Sequence, residues 1–208
     1  MESTRQVILH RALALFSVRG YDGVSMRDIA AAVGVKASSL YNHFKSKEDI
    51  LLSLMEEMES RYNELAKSMP FTAALHDPDM AANSFMGISE PMLVEIASRL
   101  FLYFLRDDFA AKYRRMLSME QYRSTRASEA YQSFLINDVL TFQTKLFDGM
   151  IKQGAFIACA PDILSLHFYS PIFLLLSKYD QRPDCEAEAL ELLRRHIVEF
   201  SRVYTKKP

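Results

Sequence analysis

Apolar side chains recur near the start of the chain at Ile8, Ala12, Leu15 and Phe16, a spacing that gathers all four on one face of an α-helix running from about Ser3 to Val18. Ser3-Thr4-Arg5-Gln6 at its start has the spacing of a capping box, in which a hydroxyl accepts from an orphan amide and a side chain reaches back to the cap residue. Gly20 stands where a helix end is expected. The same punctuation then repeats. Ser25-Met26-Arg27-Asp28 opens a short helix from Met26 to Val33 that Gly34 stops, and a second short segment covers Lys36 to His43. Ser46-Lys47-Glu48-Asp49 opens a long helix with Leu51, Leu54, Met55, Met58, Tyr62 and Leu65 on one face, ended by Pro70. Capped helices this short and close, two of them joined across a single Gly, describe a helix-turn-helix unit.

Residues 70 to 90 hold Pro70, Pro78 and Gly87 and read as irregular, and the periodicity beyond them predicts helices near 92–106, 108–120 and 125–152. Pro161 suits the first position of a helix to about residue 179. Asp184 is placed to cap a final helix carrying Leu190, Leu193, Ile197, Phe200 and Tyr204. The segment Ile163 to Leu176 is apolar nearly all round, so it must be covered on several sides, and a second copy of the chain could supply that cover about a two-fold axis. Pro171 within it predicts a kink.

Composition agrees with this pattern. Half of the 208 residues are hydrophobic and a quarter charged, which are globular proportions, and only 6 Gly and 7 Pro interrupt them, so the fold class is all-α. The organisation expected is an N-terminal three-helix domain over residues 1–60 and a helical domain over 61–208. The N-terminus lacks the basic start and apolar run of a signal peptide, and the longest apolar stretch falls short of the roughly 20 residues that span a bilayer, so a soluble, cytoplasmic protein without a membrane partner is expected.

Charge adds one distinction that the net value of −1 conceals. Residues 1–47 carry seven basic side chains against Glu2, Asp22 and Asp28, an excess of four positive charges, which leaves five negative charges in excess on the remainder. Such asymmetry points to a polyanionic partner for the first module, although a solvated surface would look the same.

Chemistry narrows the choice. In a helix-turn-helix the second helix enters the major groove, which demands a short, polar, outward-facing segment held by a few apolar residues. Leu40 and Phe44, four apart, can anchor such a helix and leave Lys36, Ser38, Ser39, Asn42 and His43 free for the groove. No phosphate-binding Gly loop, Gly-x-Ser-x-Gly elbow, His-Glu-x-x-His helix or paired Cys motif occurs, and Cys159, Cys185 and the scattered histidines form no metal signature. Neither catalytic residues nor a cofactor or metal is therefore expected.

Residues 1 to about 60 resemble the DNA-binding domain of the tetracycline-repressor (TetR) family through Phe16-x-x-x-Gly20-Tyr21, Ser25-x-x-x-Ile29-Ala30, Gly34-Val35 and Leu40-Tyr41-x-x-Phe44-x-x-Lys47-Glu48. The resemblance implies an all-helical homodimer on a palindromic duplex operator, with a C-terminal domain that binds an inducer and dimerises through its last two helices. Repression, and location in the bacterial cytoplasm or on the nucleoid, are implied in the same way. It implies phosphate contacts for Tyr41 and Lys47, a backbone-straddling helix start at Ser25 and Arg27, and base readout from Lys36, Ser38 and Ser39. The chain departs from the family at Lys36, where a Ser or Thr cap is usual, and at Ala37, so its operator does not follow from relatives. Ser25 caps a helix whether or not it touches DNA, Tyr41 could pack on the fourth helix instead, and His43 could be an inert surface residue.

The middle of the chain is rich in Met and aromatic residues, among them Phe71, Phe85, Met86, Met92 and Phe142. Core packing accounts for most of them, yet together they suggest a pliable apolar cavity for a small hydrophobic effector, with Tyr62, Phe101, Phe104, Met116, Tyr122, Phe134 and Phe168 as candidate contacts. Two other classes remain open: a helical carrier of lipids or small molecules whose first 47 residues make protein contacts, and an enzyme of unfamiliar type. Steeply salt-dependent binding to duplex DNA would separate the regulator from both.

Overall fold

The computed structural model describes residues 3–68, 80, 82, 83, 89–123 and 125–206, and every extended element among them is an α-helix. The only β pairing among them is an isolated bridge between Phe156 and Thr205. The expected irregular stretch after Pro70, with Phe71, Phe85 and Met86, lies almost entirely outside the described residues. Contacts divide the chain into two compact units, Met1–Glu64 with Asp107–Ser133, and Leu65–Arg106 with Phe134–Pro208. This differs from the single cut expected after residue 60.

In the first unit, α1 (Thr4–Arg19), α2 (Met26–Val33), α3 (Ala37–Tyr41) and the start of α4 (Lys47–Lys67) follow the local signals closely. The Ser3 and Ser25 capping boxes form on both sides, and Ser46 Oγ accepts from Asp49 N at 3.0 Å. The Asp49 carboxylate reaches one residue further back than expected, to the amide of Lys45 at 2.8 Å. On α1 the buried stripe comprises Ile8, Leu9, Ala12, Leu13 and Phe16, while Leu15 is only half-buried. The stripe is broad because α1 packs on two neighbours, α2 and α6 (Asp108–Glu120). Phe109 of α6 meets His10 edge-on at 5.8 Å and lies 4.4 Å beneath the guanidinium of Arg61. Asp107 caps α6 by accepting from Phe109 N and Ala110 N, and α7 (Thr125–Gln132) completes the unit.

In the second unit, α5 (Glu90–Arg106), α8 (Asp138–Lys152), α9 (Pro161–Lys178) and α10 (Glu186–Tyr204) surround two apolar clusters. Phe147, Met150, Phe156, Leu164 and Phe200 fill one, and Phe101, Leu105, Leu176, Tyr179 and Leu193 fill the other. The helix expected over 125–152 is broken by a π-helical turn at Ser133–Asn137, where the two units also divide. α9 runs through Pro171 as one helix. Asp184 does not cap the last helix: Pro183–Cys185 form a 3-10 turn, α10 begins at Glu186, and Arg106 binds Glu186 and the Arg182 carbonyl, each at 2.8 Å.

Candidate nucleic-acid interface

The α2–α3 corner depends on Gly34, whose left-handed backbone (φ 81°) lets its amide and that of Val35 close on the carbonyl of Ala30, each at 3.0 Å. A Cβ on Gly34 would meet nothing within 4 Å, so the requirement there is conformational. α3 then begins at Ala37 with Lys36 as its cap residue and no side-chain cap bond, as the departure at Lys36 predicts. Leu40 and Phe44 are fully buried, and the Arg5 guanidinium lies over the Phe44 ring at 4.8 Å. Their burial fixes which face of α3 points out. Lys36, Ser38, Ser39, Tyr41, Asn42 and His43 are all exposed, and Tyr41 at 52% is not packed away on α4.

Ser25 and Arg27 are exposed at the opposite end of the motif, at the start of α2. Ser25 hydrogen-bonds Asp28 through both its hydroxyl and its amide, and these bonds, helped by Arg19 at 3.3 Å, hold the Asp28 carboxyl down to about 2. Arg19 also donates to the Gly23 carbonyl at 2.7 Å.

Lys47 behaves differently from the expectation of a phosphate ligand. Its ammonium donates to the carbonyls of Tyr21 (2.7 Å) and Val24 (3.0 Å) and lies 4.1 Å over the Tyr21 ring. Two of its three protons are thus committed to the α1–α2 turn. The same turn is held from the other side by Glu120 at the end of α6, whose Oε1 accepts from Tyr21 N at 2.8 Å and from Arg123 at 3.3 Å. Gly20 makes room for it: its φ is 74°, and a Cβ there would come within 2.5 Å of Glu120 Oε1.

Residues 8–54, the segment that contains this corner, match the family described as "Bacterial regulatory proteins, tetR family". Within those residues the chain resembles the tetR-family DNA-binding region. A 64-residue stretch is 44% identical to the HTH-type transcriptional regulator AcrR of Shigella flexneri, covering 31% of this chain and 30% of AcrR. The chain therefore aligns with less than a third of that regulator. Across the full fold it is similar to a tetR-family transcriptional regulator of Mesorhizobium loti (TM-score 0.69, 19% identical, 98% of this chain and 97% of that one). It is also similar to SmeT, the repressor of the Stenotrophomonas maltophilia multidrug efflux pump SmeDEF (TM-score 0.66, 17% identical, 99% and 92%), which has been solved with triclosan as well. At these identities the likeness establishes the fold, an all-helical chain with a tetR-type head.

The seven candidate effector contacts fall in both units. Phe104 and Phe134 meet edge-to-face at 6.1 Å, Phe101 belongs to a core cluster, and Phe104 and Phe168 both pack against it. Met116 is buried, Tyr62 is half-buried with its phenol pushed up by desolvation, and Tyr122 is 89% exposed on the turn after α6. Sequence reasoning overlooked Arg5, Arg19 and Glu120. Arg19 was visible beside Gly20, but nothing local marks Glu120, which acts on a turn 99 residues away. Among the described residues no group of three or more His, Cys, Asp or Glu side chains could hold a metal, both cysteines are free, and no helix is long and apolar enough to cross a membrane.

Proposed function

We propose that the protein is a transcriptional repressor that binds a palindromic DNA operator as a homodimer and is released by a small hydrophobic ligand. The observation that carries the reading is α3: a five-residue helix anchored by two buried side chains, with every remaining polar residue of the segment in solvent. Lys36, Ser38 and Ser39 are the base readers, with Asn42 and His43 beside them. Ser25, Arg27 and Tyr41 hold phosphates, and Lys47 contributes at most its one uncommitted proton.

The division of labour proposed is a DNA-binding domain at 1–60 and an effector-binding and dimerisation domain at 61–208. On α9, Ile163, Leu166 and Leu174 share one exposed stripe, which supports its burial against a second copy together with α10. Phe104 and Phe134, with Phe101, Phe168, Tyr62, Met116 and Tyr122 as further candidates, supply apolar surface for the effector. SmeT, a repressor solved with triclosan, is the precedent for a hydrophobic ligand on this fold. α4 leaves the recognition corner and continues for 21 residues, about 30 Å, so it is the element suited to relay the ligand signal. The protein acts in the cytoplasm.

The test is selection of duplexes from random DNA by the purified chain, followed by titration in rising salt and light scattering of the free protein. A palindromic consensus, affinity falling steeply with salt, and about twice the 23.9 kDa chain mass are expected. Absence of any selected sequence would overturn the reading.

A further inference from the structure

α3 is short and weakly held from within. It has five residues and no side-chain cap at Lys36, and its internal bonds include those from Leu40 N to Lys36 O (3.3 Å) and from Phe44 N to Leu40 O (3.1 Å). A helix of this length does not persist alone in water, so its place is set by what holds it from outside. Leu40 and Phe44 are the buried anchors.

A side chain of α1 joins the second anchor to α4. Arg5 lays its guanidinium 4.8 Å from the centre of the Phe44 ring, and its Nη2 donates to Ser53 Oγ at 2.7 Å. Ser53 is itself buried, on the stretch of α4 that also buries Ile50 and Leu54. A buried hydroxyl needs a partner, and Arg5 supplies it from a residue that is otherwise exposed. The tie adds direction to an apolar anchor. Burial alone is non-directional and lets a ring turn or slide, whereas a charge-assisted hydrogen bond fixes the guanidinium that covers it.

We infer that Arg5 is a positioning residue for base readout: tied to Ser53, it fixes Phe44 and with it the register at which Lys36, Ser38 and Ser39 meet base edges. The inference rests on the reading of α3 as the recognition helix, and it gives Arg5 no contact with DNA. Hydrogen bonds to base edges weaken steeply as distance and angle depart from ideal, while long side chains on phosphates can follow a small shift. Loss of the tie is therefore a loss of discrimination rather than of affinity for DNA as such.

Arg5→Ala and Ser53→Ala break the tie from opposite ends, and Ser53→Ala leaves every charge of the chain in place. Fluorescence anisotropy of the full-length protein compares the duplex selected by the native protein with a scrambled duplex of the same composition, over a salt series. Each variant is expected to bind the selected duplex about tenfold more weakly, one decade of dissociation constant. The scrambled duplex should stay within about twofold of the native affinity, with the salt slope unchanged. The double variant should be no weaker than Arg5→Ala alone, because both changes remove one contact. A phosphate ligand at Arg5 would instead weaken both duplexes, lower the slope by about 0.9 and leave Ser53→Ala like the native protein. A contribution to folding alone would weaken both duplexes in proportion. Either result overturns the assignment. In the free protein, exchange of the His43 and Phe44 amides, both bonded to Leu40 O, should quicken about threefold or more in each variant while that of α2 is unchanged. Native exchange rates in both variants would overturn the assignment as well. If the native protein selects no duplex, the repressor reading falls, and the exchange measurement then decides whether Arg5 holds α3.

Discussion

Replacing Lys47 separates two roles that its position allows. If its ammonium chiefly clamps the α1–α2 turn, Lys47→Ala removes two charge-assisted hydrogen bonds, to Tyr21 O at 2.7 Å and Val24 O at 3.0 Å, and a cation–π contact at 4.1 Å. A hydrogen bond to a charged group contributes about 1.5–3 kcal/mol and a partly exposed cation–π contact about 0.5–1 kcal/mol. Lys47 is half-buried and water can replace part of what is lost, so a destabilisation of about 2–4 kcal/mol is expected. Urea unfolding monitored by circular dichroism measures the total, and hydrogen exchange at the amides of residues 21–30 localises it, because loosening of the turn speeds exchange there first. DNA affinity should drop with the population of ordered heads, while the slope of log affinity against log salt stays unchanged. A phosphate ligand predicts the reverse: stability altered by less than about 0.5 kcal/mol and a salt slope reduced by about 0.9. That second outcome would refute the clamp.

Lys36→Ala and Ser39→Ala should alter preference at particular base pairs by about 1–3 kcal/mol, whereas Tyr41→Phe should weaken binding to all sequences alike; repeating the selection with each substituted protein distinguishes the two patterns. The Asp28 carboxyl is held at about 2, below its ordinary 3.8, so its contribution to the α2 cap is complete above pH 4 and disappears as pH falls toward 2. Hydrogen exchange of α2 should therefore accelerate across that window in the native chain and be flat across it in Asp28→Asn, already faster at pH 5. Leu174, 63% exposed on α9, lies on the proposed dimer face; Leu174→Glu should convert the dimer to monomers by light scattering without lowering the helical signal.

Where a structural decision is made within a few residues, the sequence discloses it. Ser3, Ser25, Gly20 and Gly34 mark helix ends because caps and left-handed residues act on their own backbone, and the bounds of α2 follow to the residue. Leu40 and Phe44 reveal the outward face of α3 by their spacing alone. The π-helical turn at Ser133–Asn137 carries no such mark, because Phe134 and Leu135 continue the apolar pattern through it. Asp184 has the chemistry of a cap, but Pro183 fixes a 3-10 turn around it and displaces the helix start by one residue. Lys47 and Glu120 were least legible, since their partners lie on a turn distant in sequence. Aromatic content likewise does not distinguish core packing from a binding surface, since Phe104 and Phe168 both pack against the second apolar cluster.

The packing of α6 against α1 bears on how the N-terminal helices can be moved to another chain. The peptide of Tyr21 is gripped through its carbonyl by Lys47 and through its amide by Glu120, and Phe109 covers the flank of α1 at His10. A graft that transplants residues 1–60 onto another effector domain would leave that flank bare and the Tyr21 amide without its acceptor. The transferable module is discontinuous, residues 1–64 together with 107–133. Chimeras cut to respect that boundary should keep a folded reading head, and those cut by the sequence motif alone should inherit an operator preference they cannot hold in shape.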